Sequence, residues 1–188
     1  MEANMLNFDE LLEAAERDPA SANFAQLRRA YVDSPRYQPT NHFSQAKLQG
    51  MTNDVKDVEE LALRCKKLAD ENPMDLEVRL ILDFAYSEME QHDLAAQQHA
   101  FINGNLEAIW ASGDGKSFET AWVVVAVAEE YTLLSIMGYQ MRQQSLMEQR
   151  GRWYDMLTCV PRKNPTAEPV EFYFDITDPF GYLSKLFG

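Results

Sequence analysis

The sequence has few of the features that mark exported or membrane-spanning proteins. It contains two cysteines, Cys65 and Cys159, which are far apart and have no metal-type spacing. This usage favours a reducing compartment and two buried thiols, so we expect a cytoplasmic protein. The longest apolar run, residues 121–128, is too short to cross a bilayer, and the acidic first residues do not resemble a secretory signal. We expect no membrane partner.

Basic residues are also scarce. The chain of 188 residues has 17 Lys and Arg against 30 Asp and Glu, a formal net charge of −13. Nucleic acid is not expected as a partner, because phosphate binding needs a concentrated basic patch. An acidic surface favours a basic protein partner, although solubility alone also explains it. The charge is uneven: residues 1–110 hold 20 acidic and 10 basic side chains, and residues 111–188 hold 10 and 7.

The first part of the chain has the periodicity of amphipathic helices. Asn7 is expected to cap the first helix and Ser21 the second. Residues 35–53 are rich in proline and turn residues and predict a long irregular connection. The third helix is expected from about residue 54 to residue 71.

Two further helices follow, and together they resemble one degenerate tetratricopeptide-type hairpin. Leu82, Tyr86 and Ala95 stand where that repeat has a large, an aromatic and a small residue. A single imperfect unit predicts packed antiparallel helices rather than a repeat array. The apolar pattern places Phe84 of the fourth helix inward. It also places His99 in the apolar stripe of the fifth helix, as a buried, hydrogen-bonded histidine.

From residue 112 onward the pattern favours strands. The expected elements are a buried strand over 121–127, a helix over 129–137 ended by Gly138, a hairpin pairing 139–149 with 152–160, a half-buried strand over 170–176, and a last helix capped by Asp178. We therefore predict one α+β domain over residues 1–188. A helical half (1–111) packs on a β-rich half (112–188) with a small, mainly antiparallel sheet and two short helices.

The back half resembles an uncharacterised bacterial family known only as a domain of unknown function. The residues that carry the resemblance form short clusters: Ser112-Gly113-Asp114-Gly115, Glu119-Thr120-Ala121, Glu129-Glu130-Tyr131, Gly138 and Tyr173-Phe174-Asp175-Ile176. The resemblance implies an α+β fold in which helices precede a small sheet. It implies no activity, because none is assigned to the family.

The glycine-rich segment after the fifth helix resembles a phosphate loop only superficially. Trp110 stands where the first glycine of that motif is required, and the order here is helix, loop, strand. Asp114 and Glu119 lack the ligand spacing of a calcium loop, so we expect Asp114 to accept hydrogen bonds in a turn. Gly113 and Gly115 are expected to adopt positive φ.

No other cluster has the spacing of a catalytic or metal site. The three histidines, His42, His92 and His99, offer too few ligands for zinc. Both cysteines lack a local catalytic motif and are expected to be core residues. Glu129 and Glu130 are explained by the first turn of a helix, where the helix dipole favours acidic residues. We predict no cofactor, no metal and no catalytic residue.

Two functional hypotheses follow. The first is a non-catalytic protein-binding module, possibly an inhibitor or immunity protein that sequesters a basic partner such as a toxin. The second is a hydrolase-like enzyme with a cleft between the two halves. For the first hypothesis the expected contact residues are carboxylates and one aromatic of the β-rich half: Asp114, Glu119, Glu129, Glu130, Trp153 and Asp155.

Overall fold

The computed structural model describes residues 7–40 and 57–187. Backbone contacts divide the chain into two compact units, Met1–Asn105 and Leu106–Gly188. The first unit is helical and the second contains the sheet, which confirms the predicted α+β class. His42, most of the predicted irregular connection and the expected start of the third helix at residue 54 lie outside the described residues. That the chain forms a single domain remains a prediction.

Within residues 7–40 and 57–105, the first unit has four α-helices and most of a fifth: α1 (Phe8–Arg17), α2 (Phe24–Asp33), α3 (Val58–Glu71), α4 (Leu76–Glu88) and α5 (His92–Ala111), the last of which continues into the second unit. Asn7 caps α1 as predicted: its side chain accepts from the Glu10 amide at 3.0 Å, and Glu10 accepts from the Asn7 amide at 2.9 Å. The predicted cap of α2 is wrong. Ser21 ends a 3₁₀ turn that begins at Pro19, and Asn23 caps the helix instead.

Helices α3, α4 and α5 share one hydrophobic cluster. Its buried members are Leu61, Ala62, Cys65, Ala69, Val78, Leu82, Ala85, Tyr86 and Ala95. Two predicted inward residues are exposed. Phe84 is 57% exposed, because Ala85 beside it is the inward residue. His99 is also exposed, although Ala95, Ile102, Leu106 and Ile109 of the same predicted stripe are buried.

The second unit is built on a four-stranded sheet. Its elements are β1 (Trp122–Val123), α6 (Ala128–Ile136), β2 (Tyr139–Gln149), β3 (Arg152–Pro161), β4 (Val170–Asp175) and α7 (Thr177–Phe187). The strand order is β1-β4-β3-β2. β1 pairs with β4 in parallel, and the other two pairs are antiparallel. The predicted hairpin, the strand near residue 170 and the helix that ends before Gly138 are confirmed.

Two boundaries differ from the sequence prediction. β1 is shorter than the expected 121–127 because the amide of Val125 bonds to the Glu129 carboxylate at 2.9 Å rather than to a neighbouring strand. Helix α7 begins at Thr177, so Asp178 is not its cap. The Asp175 carboxylate accepts from the Thr177 amide at 3.0 Å instead. Within residues 7–40 and 57–187, no helix has the length and apolar character needed to cross a bilayer.

Candidate functional site

A tight loop precedes the sheet of the second unit, and Asp114 organises it. Its Oδ1 accepts from the Lys116 amide at 3.1 Å and from the Thr120 hydroxyl at 2.6 Å. The Thr120 hydroxyl and then the Lys116 amide lower the pKa of Asp114, because both bonds favour the charged form. The prediction that Asp114 accepts hydrogen bonds in a turn is therefore confirmed.

The two glycines of this loop are needed for different reasons. Gly115 has φ of +66°, as predicted. Gly113 does not have positive φ, so that prediction is wrong; it is needed because its backbone lies against another segment. A Cβ on Gly113 would lie 2.1 Å from the carbonyl oxygen of Thr120. The Gly113 carbonyl also accepts from the Trp122 indole at 3.0 Å, which fixes the loop to β1.

The turn between β2 and β3 consists of Arg150 and Gly151, which have φ of 53° and 77°. Positive φ at both central residues is the signature of a type I′ hairpin turn. Arg152 follows, and its guanidinium bonds to the buried carboxylate of Asp175 through Nε at 2.7 Å and Nη2 at 2.5 Å. This hydrogen bond with Asp175 raises the pKa of Arg152.

The loop and the hairpin turn enclose a pocket of about 320 Å³. Its polar lining comes from the loop, from the two strands of the hairpin with their turn and from the end of β4: Ser112, Glu119, Gln149, Arg150, Arg152, Tyr154 and Asp175. Charged groups of both signs therefore meet at this pocket. Of the six contact residues expected from the sequence, Glu119 alone lines it, and Asp114 shapes the adjacent loop.

Three of the expected contact residues are buried and form no surface patch. Glu129 and Glu130 lie in the first turn of α6, as predicted, but they are 1% and 0% exposed. Asp155 of β3 is 2% exposed. Because a partner cannot reach buried carboxylates, the proposed contact role of these three residues is inconsistent with the fold. The Glu129 carboxylate instead accepts from the Val125 amide.

Glu130 and Asp155 form a buried carboxyl pair. Both carboxylate oxygens of Glu130 and Oδ1 of Asp155 lack a donor among the protein groups. Burial and the neighbouring Asp155 raise the pKa of Glu130 well above its ordinary value, and burial also raises the pKa of Asp155. Oδ2 of Asp155 accepts from Gln144 at 2.7 Å, and Gln144 accepts from the Tyr131 hydroxyl at 3.0 Å.

The remaining contact residue, Trp153, is partly covered. Its ring stacks on Phe180 of α7 with centroids 4.0 Å apart, while Tyr154 on the other face of β3 is buried. The six residues expected from the sequence therefore separate into three places: the loop and pocket, the interior beside α6, and the stack against α7.

A scan against protein-family models matches residues 4–184 to a domain of unknown function (DUF4919). The chain belongs to this family. No curated protein and no solved structure matches the chain. Membership of DUF4919 accounts for the resemblance seen in the back half and extends it over the helical unit.

Several residues that carry the DUF4919 resemblance meet at the pocket. Ser112, Glu119, Ala121 and Asp175 line it, although they come from the loop and from β4. The Ser112 hydroxyl accepts from the Val123 amide at 2.8 Å and donates to the Ile109 carbonyl at 2.6 Å. Residues from separate segments that carry the resemblance therefore lie together in the folded second unit.

Other reactive side chains in the described residues form no site. Both cysteines are free and buried, and burial raises the pKa of each thiol to about 11. His99 is exposed, with Nδ1 3.4 Å from a carboxylate oxygen of Asp83. Across residues 7–40 and 57–187 there is no group of three or more His, Cys, Asp and Glu side chains that could hold a metal ion.

Proposed function

We propose that this protein is a non-catalytic protein-binding module that holds a basic protein on the acidic surface of its first unit. The sharper form of the proposal is an inhibitor or immunity protein that sequesters a basic toxin in the cytoplasm. The uneven distribution of accessible charge is the observation that carries it.

In the described part of the first unit, 16 acidic side chains are at least partly exposed, against 6 basic ones. Several of these acids are already paired locally, including Asp33 with Arg29 and Asp70 with Lys66. The excess of acidic over basic side chains still produces a strongly negative surface. Such a field attracts a basic protein and accelerates its association.

The described part of the second unit is different. Of its eleven acidic residues, the four that are buried are Glu129, Glu130, Asp155 and Asp175. The seven that remain accessible are matched by seven basic residues. Solubility would be served by acidic residues anywhere on the chain, so their concentration on one unit supports a binding surface there.

The acidic unit also exposes apolar side chains that could anchor a partner. Phe84 is 57% exposed, and Glu88 lies one helical turn further along α4. Leu94 is 39% exposed near the start of α5. Exposed aromatic and aliphatic side chains with charged neighbours are typical of interface hot spots and their polar rims.

The alternative, a hydrolase, has less support. The thiols of Cys65 and Cys159 are poor nucleophiles, because burial raises the pKa of both. The carboxylate of Asp114 is engaged in its turn. A binding role requires none of these groups to react.

The test is a pull-down with the tagged full chain from its own host, washed at low and high salt and analysed by mass spectrometry. Two charge reversals, E88K/E90K, change the end of α4, where lysine is compatible with the helix dipole. The matched control E107K/E168K makes the same change of net charge on the second unit. Glu107 and Glu168 are both exposed.

We expect one basic protein in near-equal amount, partly lost at high salt. Its recovery should fall with E88K/E90K and stay unchanged with E107K/E168K. Recovery of no partner at either salt would contradict the proposal. An equal loss with both double variants would also contradict it, because it would reveal only a dependence on total charge.

A further inference from the structure

Gln149 and Arg150 line the pocket beside the β2–β3 turn, and each carries a polar group that the protein does not satisfy. Oε1 of Gln149 is buried and has no hydrogen-bond partner. An unsatisfied buried acceptor costs about 1–3 kcal/mol, so such groups are rare without a reason. Among the described residues, the Arg150 guanidinium makes no hydrogen bond or ion pair, although its charge acts on Glu119. The Arg150 guanidinium is therefore an available donor at this pocket.

The backbone of Arg150 supports a role for its side chain. Arg150 occupies the first central position of a type I′ turn with φ of 53°. Asn, Asp and Gly are the residues favoured there, and the left-handed conformation costs other residues roughly 1–2 kcal/mol. Strained residues of this kind are concentrated at ligand sites. Arg150 is therefore an unfavourable residue for this turn, and it lines the pocket.

The other charges of the pocket divide into a neutralised pair and an available one. Asp175 binds Arg152 through two bonds, which removes that pair from ligand binding. Glu119 and Arg150 remain. The backbone amide of Glu119, the Ser117 hydroxyl and the charge of Arg150 all lower the pKa of Glu119, so its carboxylate is ionised at neutral pH.

The volume and the apolar lining limit the size of a ligand. About 320 Å³ is at the lower end of the range of roughly 300–1,000 Å³ for small-molecule sites. Phe118 and Tyr154 form an aromatic wall, with ring centroids 5.2 Å apart, and both line the pocket. This wall suits an aliphatic or aromatic group of modest size.

We propose that the pocket binds a small zwitterion of the amino-acid type with an apolar side chain. Arg150 binds its carboxylate, Glu119 accepts from its ammonium group, and Phe118 and Tyr154 contact its side chain. This site is independent of the acidic surface proposed for protein binding, since its lining residues all belong to the second unit.

Titration calorimetry of the full chain with L-leucine and L-phenylalanine tests the ligand class. The matched probes are 4-methylpentanoate, which lacks the ammonium group of leucine, and 3-methylbutylamine, which lacks its carboxylate. Each omission removes a charge-assisted contact and should weaken binding about tenfold or more. No binding of either amino acid at millimolar concentration, or equal binding of leucine and both analogues, would overturn the proposal.

Arg150→Asn separates ligand binding from folding. Asparagine is favoured in the type I′ turn, so this variant should melt at the same or a higher temperature and yet lose leucine binding. Glu119→Gln should weaken leucine more than 4-methylpentanoate. Lys163→Asn, in an exposed loop, is the control and should bind leucine as the wild type does. Retention of leucine binding by Arg150→Asn would refute the assignment of the carboxylate site.

Discussion

Glu130 of α6 and Asp155 of β3 face each other as a carboxyl pair in the interior of the second unit, with 0% and 2% of their surfaces exposed. Three of their four oxygens find no donor in the protein. One proton held between the two groups satisfies two of these oxygens and avoids two adjacent buried negative charges. The pair therefore takes up a proton when the unit folds.

This proton makes the stability of the second unit depend on pH. The pKa of Glu130 is raised in the folded state, so its contribution is fully present below the unfolded pKa, near 4.5, and is lost as pH rises towards the folded value. Each pH unit in that window removes up to about 1.4 kcal/mol. Denaturant unfolding between pH 5 and pH 9 should show this decline.

Glu130→Gln should flatten the pH dependence. Glutamine cannot ionise, and its amide can donate to Asp155, so the variant should gain stability relative to the wild type as pH rises. The Asp155→Asn variant and the double variant complete a mutant cycle, which should be strongly non-additive because the two groups share one proton. An unchanged pH slope in Glu130→Gln would rule out this source of the dependence.

Gly113→Ala should destabilise the second unit through a backbone clash. Its Cβ would lie 2.1 Å from the Thr120 carbonyl oxygen, and that backbone is held by its bond to Gly115 at 2.8 Å. We expect a loss of about 2–3 kcal/mol in the free energy of unfolding. Gly138→Ala is the comparison: a Cβ there meets nothing within 4 Å, and only its φ of +78° opposes it, at about 1–2 kcal/mol. A smaller loss at Gly113 than at Gly138 would contradict this account.

Local signals in the sequence predicted local structure well. The Asn7 cap, the hairpin around Arg150 and the turn at Asp114 depend on residues within a few positions of each other, so short-range chemistry determines them. Helix rotation was harder to predict. In α5 the predicted residues Ile102, Leu106 and Ile109 are buried, but His99 is exposed. Phe101 is buried as well, and the Arg79 guanidinium lies 3.7 Å from the centre of its ring.

The candidate site residues are also hard to predict, because they come together from distant positions in the sequence. Glu130 and Asp155 are 25 positions apart, and neither has a local signature that shows they meet in the interior. From the sequence alone, both residues therefore look like surface carboxylates. Arg150 offered a usable signal, because an arginine stood in a two-residue hairpin turn where Asn is favoured. The orphaned oxygen of Gln149 could be recognised only once the burial of its side chain was known.

Both cysteines should be unreactive in the folded protein. Cys65 and Cys159 are each 0% exposed, and burial raises the pKa of both thiols to about 11. Because the thiolate is the reactive form, a thiol reagent at pH 8 should modify neither quickly. Two thiols should react after denaturation. A rapid stoichiometric reaction in the native protein would show that one of them is accessible.

Arg79 should matter far more to stability than its ion-pair partner Glu16. Their side chains, joined at 2.7 Å, are 3% and 48% exposed. Arg79 also donates to the Pro73 carbonyl at 2.6 Å and to Gln98 at 3.1 Å. Arg79→Met retains much of the volume but leaves the buried Pro73 carbonyl and the part-buried Gln98 without this donor, so we expect a loss of about 1–3 kcal/mol.

Glu16→Gln is the matched change on the other side of the same ion pair. The side chain at position 16 is half exposed, so water can hydrogen-bond in place of the lost carboxylate oxygen. The remaining bonds of Arg79 stay in place, and the expected cost is therefore about 0–1 kcal/mol. Chemical denaturation of both variants at the same pH and salt compares them directly. Equal losses would show that the ion pair itself, rather than the hydrogen bonds and the ring contact that hold Arg79, dominates its contribution to stability.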